Sequence, residues 1–119
     1  MEKKNNNIVF KTTSALDNIV TMTQETFDEH IVKHHPEMSG HEEDIRETIE
    51  KPNLIYKAKR FPEKRKQFVR KTHRNEISEY NNVIVEYDSE EKGYVKTSYY
   101  SEDIERGGDC VYFKYENKI

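Results

Sequence analysis

A chain of 119 residues with 33% hydrophobic and 36% charged side chains has material for one modest core, and lies toward the polar edge of globular composition. Eight tyrosines and five phenylalanines argue against disorder, the lone Cys110 excludes an intrachain disulfide, and no apolar run approaches the roughly 20 residues of a membrane span. The net charge of −3 conceals an asymmetry: residues 57–74 hold nine Lys/Arg against Glu63 alone, so this block carries +8 and the rest of the chain −11. Such a block is either a solvated hairpin or a phosphate-docking surface that gains affinity by counterion release.

The opening MEKKNNN lacks the apolar stretch of a secretion signal. A soluble cytoplasmic protein is expected, with residues 1–7 a loose tail and 8–119 a single domain. The β-branched runs at 8–11 (IVFK) and 18–22 (NIVTM) predict a small hairpin. Thr21 or Thr23 can cap a following helix, with Gln24 three residues after Thr21 as in a capping box. At 100° per residue, Phe27, His30, Ile31 and His34 share one face of that helix. Pro36 ends it near His34 or His35. Ser39 with Glu42 fits S-x-x-E at the start of a second helix, Ile45 and Ile49 form its i,i+4 apolar pair, and Pro52 stops it near Lys51.

Beyond Pro52 the period changes from helical to alternating. Residues 54–59, 67–73, 82–88 and 94–100 read as strands, with 110–115 a fifth after Gly107-Gly108-Asp109. Alternation groups Phe68, Arg70 and Thr72 on one face, and Val95, Thr97 and Tyr99 on one face. The expected fold is therefore α+β: two short N-terminal helices packed on an antiparallel sheet of four to five strands.

Four of the five histidines, His30, His34, His35 and His41, fall within twelve residues. His30 and His34 have the i,i+4 spacing of zinc ligands, but the H-E-x-x-H pattern is missing and Lys33 adds a repelling charge, so no metal is assigned. His30 also suits a core histidine bonded to a carbonyl, and His35 and His41 suit exposed positions. His34, in the last turn of an apolar stripe, meets the negative helix end and is well placed for proton transfer.

The run TMTQETFDEHIVKHHPEM, then EEDIRETIEKPNLIY, basic strands, VIVEY and YVKTSYY resembles a phage and prophage nuclease-like family, the group named for barnase, EndoU, colicin and RelE-like folds. The family shape is H-I-x-x-x-H-P, then I-x-x-P-x-x-I, then T-[AS]-[YF]. Here it falls on His30, Ile31, His34 or His35 with Pro36, on Ile49, Pro52 and Ile55, and on Thr97, Ser98 and Tyr99. The likeness spans about residues 19–100. It departs at Phe27, where other members often carry a larger aromatic, and at HHP, which offers two candidates for the second histidine. A looser likeness is to BrnT-like toxins.

The resemblance implies a barnase/RelE-like, metal-independent ribonuclease that needs no cofactor. In such chemistry the ribose 2′-OH loses its proton and attacks the adjacent phosphate, which requires a base, a cation over the phosphorane and an acid for the leaving oxygen. His34 is then the expected base, with His30 its rival or orienting neighbour. Arg70 is expected to hold the phosphate by its guanidinium fork, Thr97 to bond a phosphate oxygen, and Tyr99 to stack a base or act as the acid. Lys57, Lys59, Arg60, Lys71 and Tyr100 complete the expected substrate-binding set. The expected partners are RNA and, for a toxin, an acidic antitoxin or immunity protein. The competing expectations are a non-catalytic RNA- or protein-binding module of the same fold and a phage-encoded inhibitor of a host factor.

Overall fold

The structure, a computed structural model, describes residues 7–74 and 77–114. Most of the expected tail, and residues 115–119 of the expected domain, lie outside the described residues. The strands are β1 (Ile8–Thr13), β2 (Ile19–Thr23), β3 (Leu54–Lys57), β4 (Arg65–Arg74), β5 (Ile77–Tyr87), β6 (Lys92–Ser101) and β7 (Cys110–Phe113). All seven join one sheet in the order β1-β2-β6-β5-β4-β3-β7.

This overturns the expected antiparallel sheet of four to five strands. The N-terminal hairpin does not stand apart: β2 runs parallel to β6, pairing Ile19, Val20 and Thr21 with Lys92, Gly93 and Tyr94. The sheet is therefore mixed. Gly93 lets the side chains of β5 pack closely over the start of β6, because a Cβ there would stand 2.7 Å from Val85 Cγ1 and 2.9 Å from Tyr87 Cε1. A polar cluster ties the hairpin down further. Tyr87 donates to Asn18 Oδ1 at 3.1 Å, and Ser14 Oγ donates to the same oxygen at 2.7 Å.

The helical content also departs from expectation. Residues Thr26–Val32 form a π-helix, Pro36–Met38 a single 3₁₀ turn, and α1 covers Glu42–Glu50. Thr23 Oγ1 accepts the Thr26 N–H at 3.2 Å, so Thr23 rather than Thr21 caps the first segment. Wider i→i+5 winding advances less per residue than an α-helix, so the face drawn at 100° per residue does not hold. Phe27 and Ile31 stay buried while His30 and His34 turn to solvent. Ser39 does not cap α1; its N–H closes the 3₁₀ turn on the Pro36 carbonyl. Glu42, Glu43 and Asp44 instead complement the dipole at the start of α1.

The core lies between these helical segments and one face of the sheet. It comprises Val20 and Met22 of β2, Phe27, Ile31 and Met38, Ile45 and Ile49 of α1, and Ile55, Phe68, Val83, Val85 and Val95 from the central strands. Each fully buried aliphatic or aromatic side chain contributes about 1.5–3 kcal/mol of transfer free energy. The opposite face carries Gln67, Lys71, Asn82, Ile84, Thr97 and Tyr99. Residues 102–109 cross part of it, bound by Gln67 Nε2 to the Glu105 carbonyl at 2.8 Å and by the Gly108 N–H to the Lys57 carbonyl at 2.6 Å.

Candidate nucleic-acid interface

A bulge decides which β6 side chains share a face. Ile84 pairs with Thr97 and the next residue, Val85, with Val95, so one extra residue is accommodated at Lys96. Val95 and Ser98 consequently point into the core, and Lys96, Thr97 and Tyr99 point to the open face. The expected grouping of Val95 with Thr97 and Tyr99 fails for this reason: strict alternation does not continue through a bulge.

Arg70 lies on the other side of the sheet. It pairs with Asn81 and shares the face of Phe68, and its Nη2 meets Glu47 Oε2 of α1 at 3.0 Å. Thr97 is aligned through Ile84 with Gln67, three residues from Arg70 and so on the opposite face. Arg70 and the Thr97–Tyr99 pair do not converge. His30 and His34 are exposed, and among the described residues His34 takes part in no ion pair or ring contact.

Instead the structure brings His35 to the open-face residues. Its ring stacks on Tyr99 with centroids 5.4 Å apart and planes inclined 29°. The chain reverses direction here, with Pro36 forcing His35 out of helical geometry (φ −134°, ψ 75°), which swings its side chain toward β6. Its Nδ1 stands 3.8 Å from Glu37 Oε2. Tyr99 donates to Glu105 Oε2 at 3.1 Å, and burial, reinforced by that carboxylate, pushes its phenol up to about 12. Tyr99 thus stays protonated, a fixed ring with a committed donor.

Beside Tyr99 lies a cleft of about 270 Å³. Its walls include Lys59, Arg60, Arg65, Lys96 and Arg106, with Glu105 the one carboxylate and Thr97, Gln67 and Ile84 on the floor. Arg65 is partly spoken for: its Nε donates to Glu86 Oε1 at 2.7 Å, a bond that holds the Glu86 carboxyl below its ordinary value. Among the described residues no salt bridge engages Lys59, Arg60, Lys96 or Arg106. Four cations outside any salt bridge around a hydroxyl and a stacked ring pair suit a phosphate ester with an attached planar base.

Of the expected substrate-binding residues, Lys59 and Arg60 line this cleft and Lys57 is exposed at the end of β3. Lys71 lies on the open face in a second hollow with Leu54, Tyr80, Ile104 and Phe113. Tyr100 faces the helices, donating to Asp44 and meeting His41 edge-on at 5.7 Å. Adjacent tyrosines thus hold one histidine on each side of the sheet. The residues missed from sequence are His35, Arg65, Lys96, Glu105 and Arg106. His35 was signalled by the HHP ambiguity, and Arg65 by the basic block. The bulge at Lys96 and the fold-back of 102–109 have no local signature.

Among the described residues no three His, Cys, Asp or Glu side chains cluster in a metal-holding arrangement, and no helix is long and apolar enough to cross a membrane. Comparison with protein-family models, with curated proteins and with solved structures gives no match.

Proposed function

We propose that the open face of the sheet binds RNA and that the protein is a metal-independent endoribonuclease of the cytoplasm, working from the cleft beside Tyr99. The observation that carries this is the set of four cations without salt-bridge partners around Thr97 and the His35–Tyr99 stack. It joins the motif resemblance to the nuclease-like family. In this arrangement His35, rather than His34, takes the 2′-OH proton. The freed oxygen bonds to phosphorus, the bond to the 5′-oxygen breaks, and a 2′,3′-cyclic phosphate remains while the departing oxygen is protonated from solvent in the open cleft. Lys96 and Arg106 offset the phosphorane charge, and Thr97 bonds a phosphate oxygen. Tyr99 stacks and positions rather than delivering the proton, since its phenol is held up to about 12. An acidic antitoxin or immunity protein is the protein partner whose charge fits this cleft.

One observation favours a second reading, a non-catalytic RNA-binding module: the expected acid–base set is dispersed, with Arg70 tied to Glu47 across the sheet. Incubation of the purified protein with total RNA, with and without EDTA, separates the two. Cleavage that persists in EDTA, is lost in His35→Ala and survives in His34→Ala supports the enzyme. RNA that is retained but uncut, with affinity falling steeply in salt, supports the binding module. RNA neither bound nor cut refutes both, and points to the inhibitor of a host factor.

A further inference from the structure

Phe61 sits at the tip of the β3–β4 hairpin with φ +57°, a conformation bulky side chains rarely adopt and glycine or asparagine adopt freely. The turn is built from backbone: the Phe61 carbonyl accepts the Lys64 and Arg65 N–H groups at 3.0 and 2.9 Å, and Ala58 N–H donates to the Arg65 carbonyl at 3.0 Å. None of these bonds needs an aromatic ring. Nor does the core, since Phe61 is 44% exposed. What the ring does contact is charge. The Arg65 guanidinium lies 4.6 Å from its centroid and Lys64 Nζ 5.1 Å. Both Arg65 and the preceding Arg60 line the cleft beside Tyr99.

Resting on the function proposed above, we infer that Phe61 is a base-stacking residue and that the RNA taken by this face is single-stranded. An aromatic ring backed by a guanidinium that itself lines the cleft is a surface for a planar base whose phosphate is held by Arg60 and its neighbours. Tyr99, stacked on His35, lies in the cleft wall, so the strand meets one aromatic inside the cleft and another against the cleft's own Arg65. A base paired in a duplex cannot lie flat on Phe61. The strained backbone at the tip is therefore retained for the side chain it carries.

The test measures fluorescence anisotropy of a short single-stranded oligouridylate and of a blunt RNA duplex with wild type, Phe61→Gly and Phe61→Tyr, together with thermal melts. Phe61→Gly is expected to bind the oligouridylate roughly 5- to 150-fold more weakly, the range for loss of one stacked base. Its salt slope and duplex binding should be unchanged, and its Tm equal to or above that of wild type because the strain is relieved. Phe61→Tyr should bind as wild type. Equal oligouridylate affinity in wild type and Phe61→Gly overturns the inference while leaving RNA binding intact. So does a fall in Tm with parallel loss of duplex binding, which would make Phe61 a packing residue of the hairpin. No binding of either probe by wild type overturns the parent reading instead.

Discussion

Tyr87→Phe probes the parallel seam that sets this sheet apart from the antiparallel one expected. The Tyr87 ring packs beside Gly93, and its hydroxyl donates to Asn18 Oδ1, linking β5 to the N-terminal hairpin. Removing the hydroxyl deletes one buried hydrogen bond, worth about 1 kcal/mol, and leaves Asn18 Oδ1 satisfied by Ser14. At high pH the sign reverses. Burial pushes the Tyr87 phenol from 10.0 up to about 12, against opposing hydrogen bonds with Asn18 and Ser14. A group raised in the folded state stabilises fully below its unfolded pKa, and that contribution is lost as pH rises through the folded one. At 1.36 kcal/mol per pKa unit, wild type loses about 1.4 kcal/mol by pH 11 and at most about 2.7 kcal/mol beyond pH 12 from this residue. Tyr87→Phe loses none of it. Urea denaturation followed by far-UV circular dichroism, suited to a chain without tryptophan, should therefore show wild type ahead at pH 8 and the two curves crossing near pH 11. A stability gap that is constant from pH 8 to pH 12, or that widens in favour of wild type, refutes the buried placement of Tyr87.

Gly93→Ala should cost about 1–3 kcal/mol in thermal or urea unfolding, because its Cβ meets Val85 and Tyr87 closer than van der Waals contact; an unchanged midpoint would mean that β5 packs less closely over Gly93 than described. Asn81 is fully buried, donates to Thr48 Oγ1 at 3.1 Å and accepts from Ser98 Oγ at 2.8 Å. Asn81→Leu leaves the Ser98 hydroxyl without that acceptor and should destabilise by about 1–3 kcal/mol in the same assay, whereas Thr48 still donates to the Asp44 carbonyl. Glu86→Gln releases Arg65 into the cleft. It should tighten oligouridylate binding at low salt and steepen the salt dependence by roughly 0.7 for each further phosphate neutralised. It should also remove a group whose stabilising contribution, full above its ordinary pKa, is lost as pH falls.

Much of the strand placement was legible because alternation of Phe68, Val83, Val85 and their neighbours is a local, period-two signal. The sheet they form was not. Whether Ile19–Thr23 pairs only with β1 or also joins β6 is decided by backbone pairing between residues some seventy positions apart, which leaves no local signal. The first helix was legible in position but not in winding, and one widened turn moved His30 and His34 from the expected apolar face to solvent. The site suffered from the same limits. Thr97 and Tyr99 were correctly grouped with each other. Their expected partner Arg70 shares a strand face with Phe68, and once Phe68 is core, Arg70 is on the helix side. The bulge at Lys96 separates Val95 from Thr97 without any proline or glycine to announce it. His35, one position from the expected base, reaches Tyr99 because Pro36 turns the chain.

The proposal of an RNA site on the open face is tested most directly by comparing Lys96→Ala/Arg106→Ala with Arg70→Ala in oligouridylate binding across a salt series. The cleft double variant should lose affinity and show a salt slope shallower by about 1.4, two phosphates at roughly 0.7 each, while Arg70→Ala binds as wild type. Wild-type binding by the cleft variant, with affinity lost in Arg70→Ala, would contradict that placement and put the RNA on the helical side of the sheet.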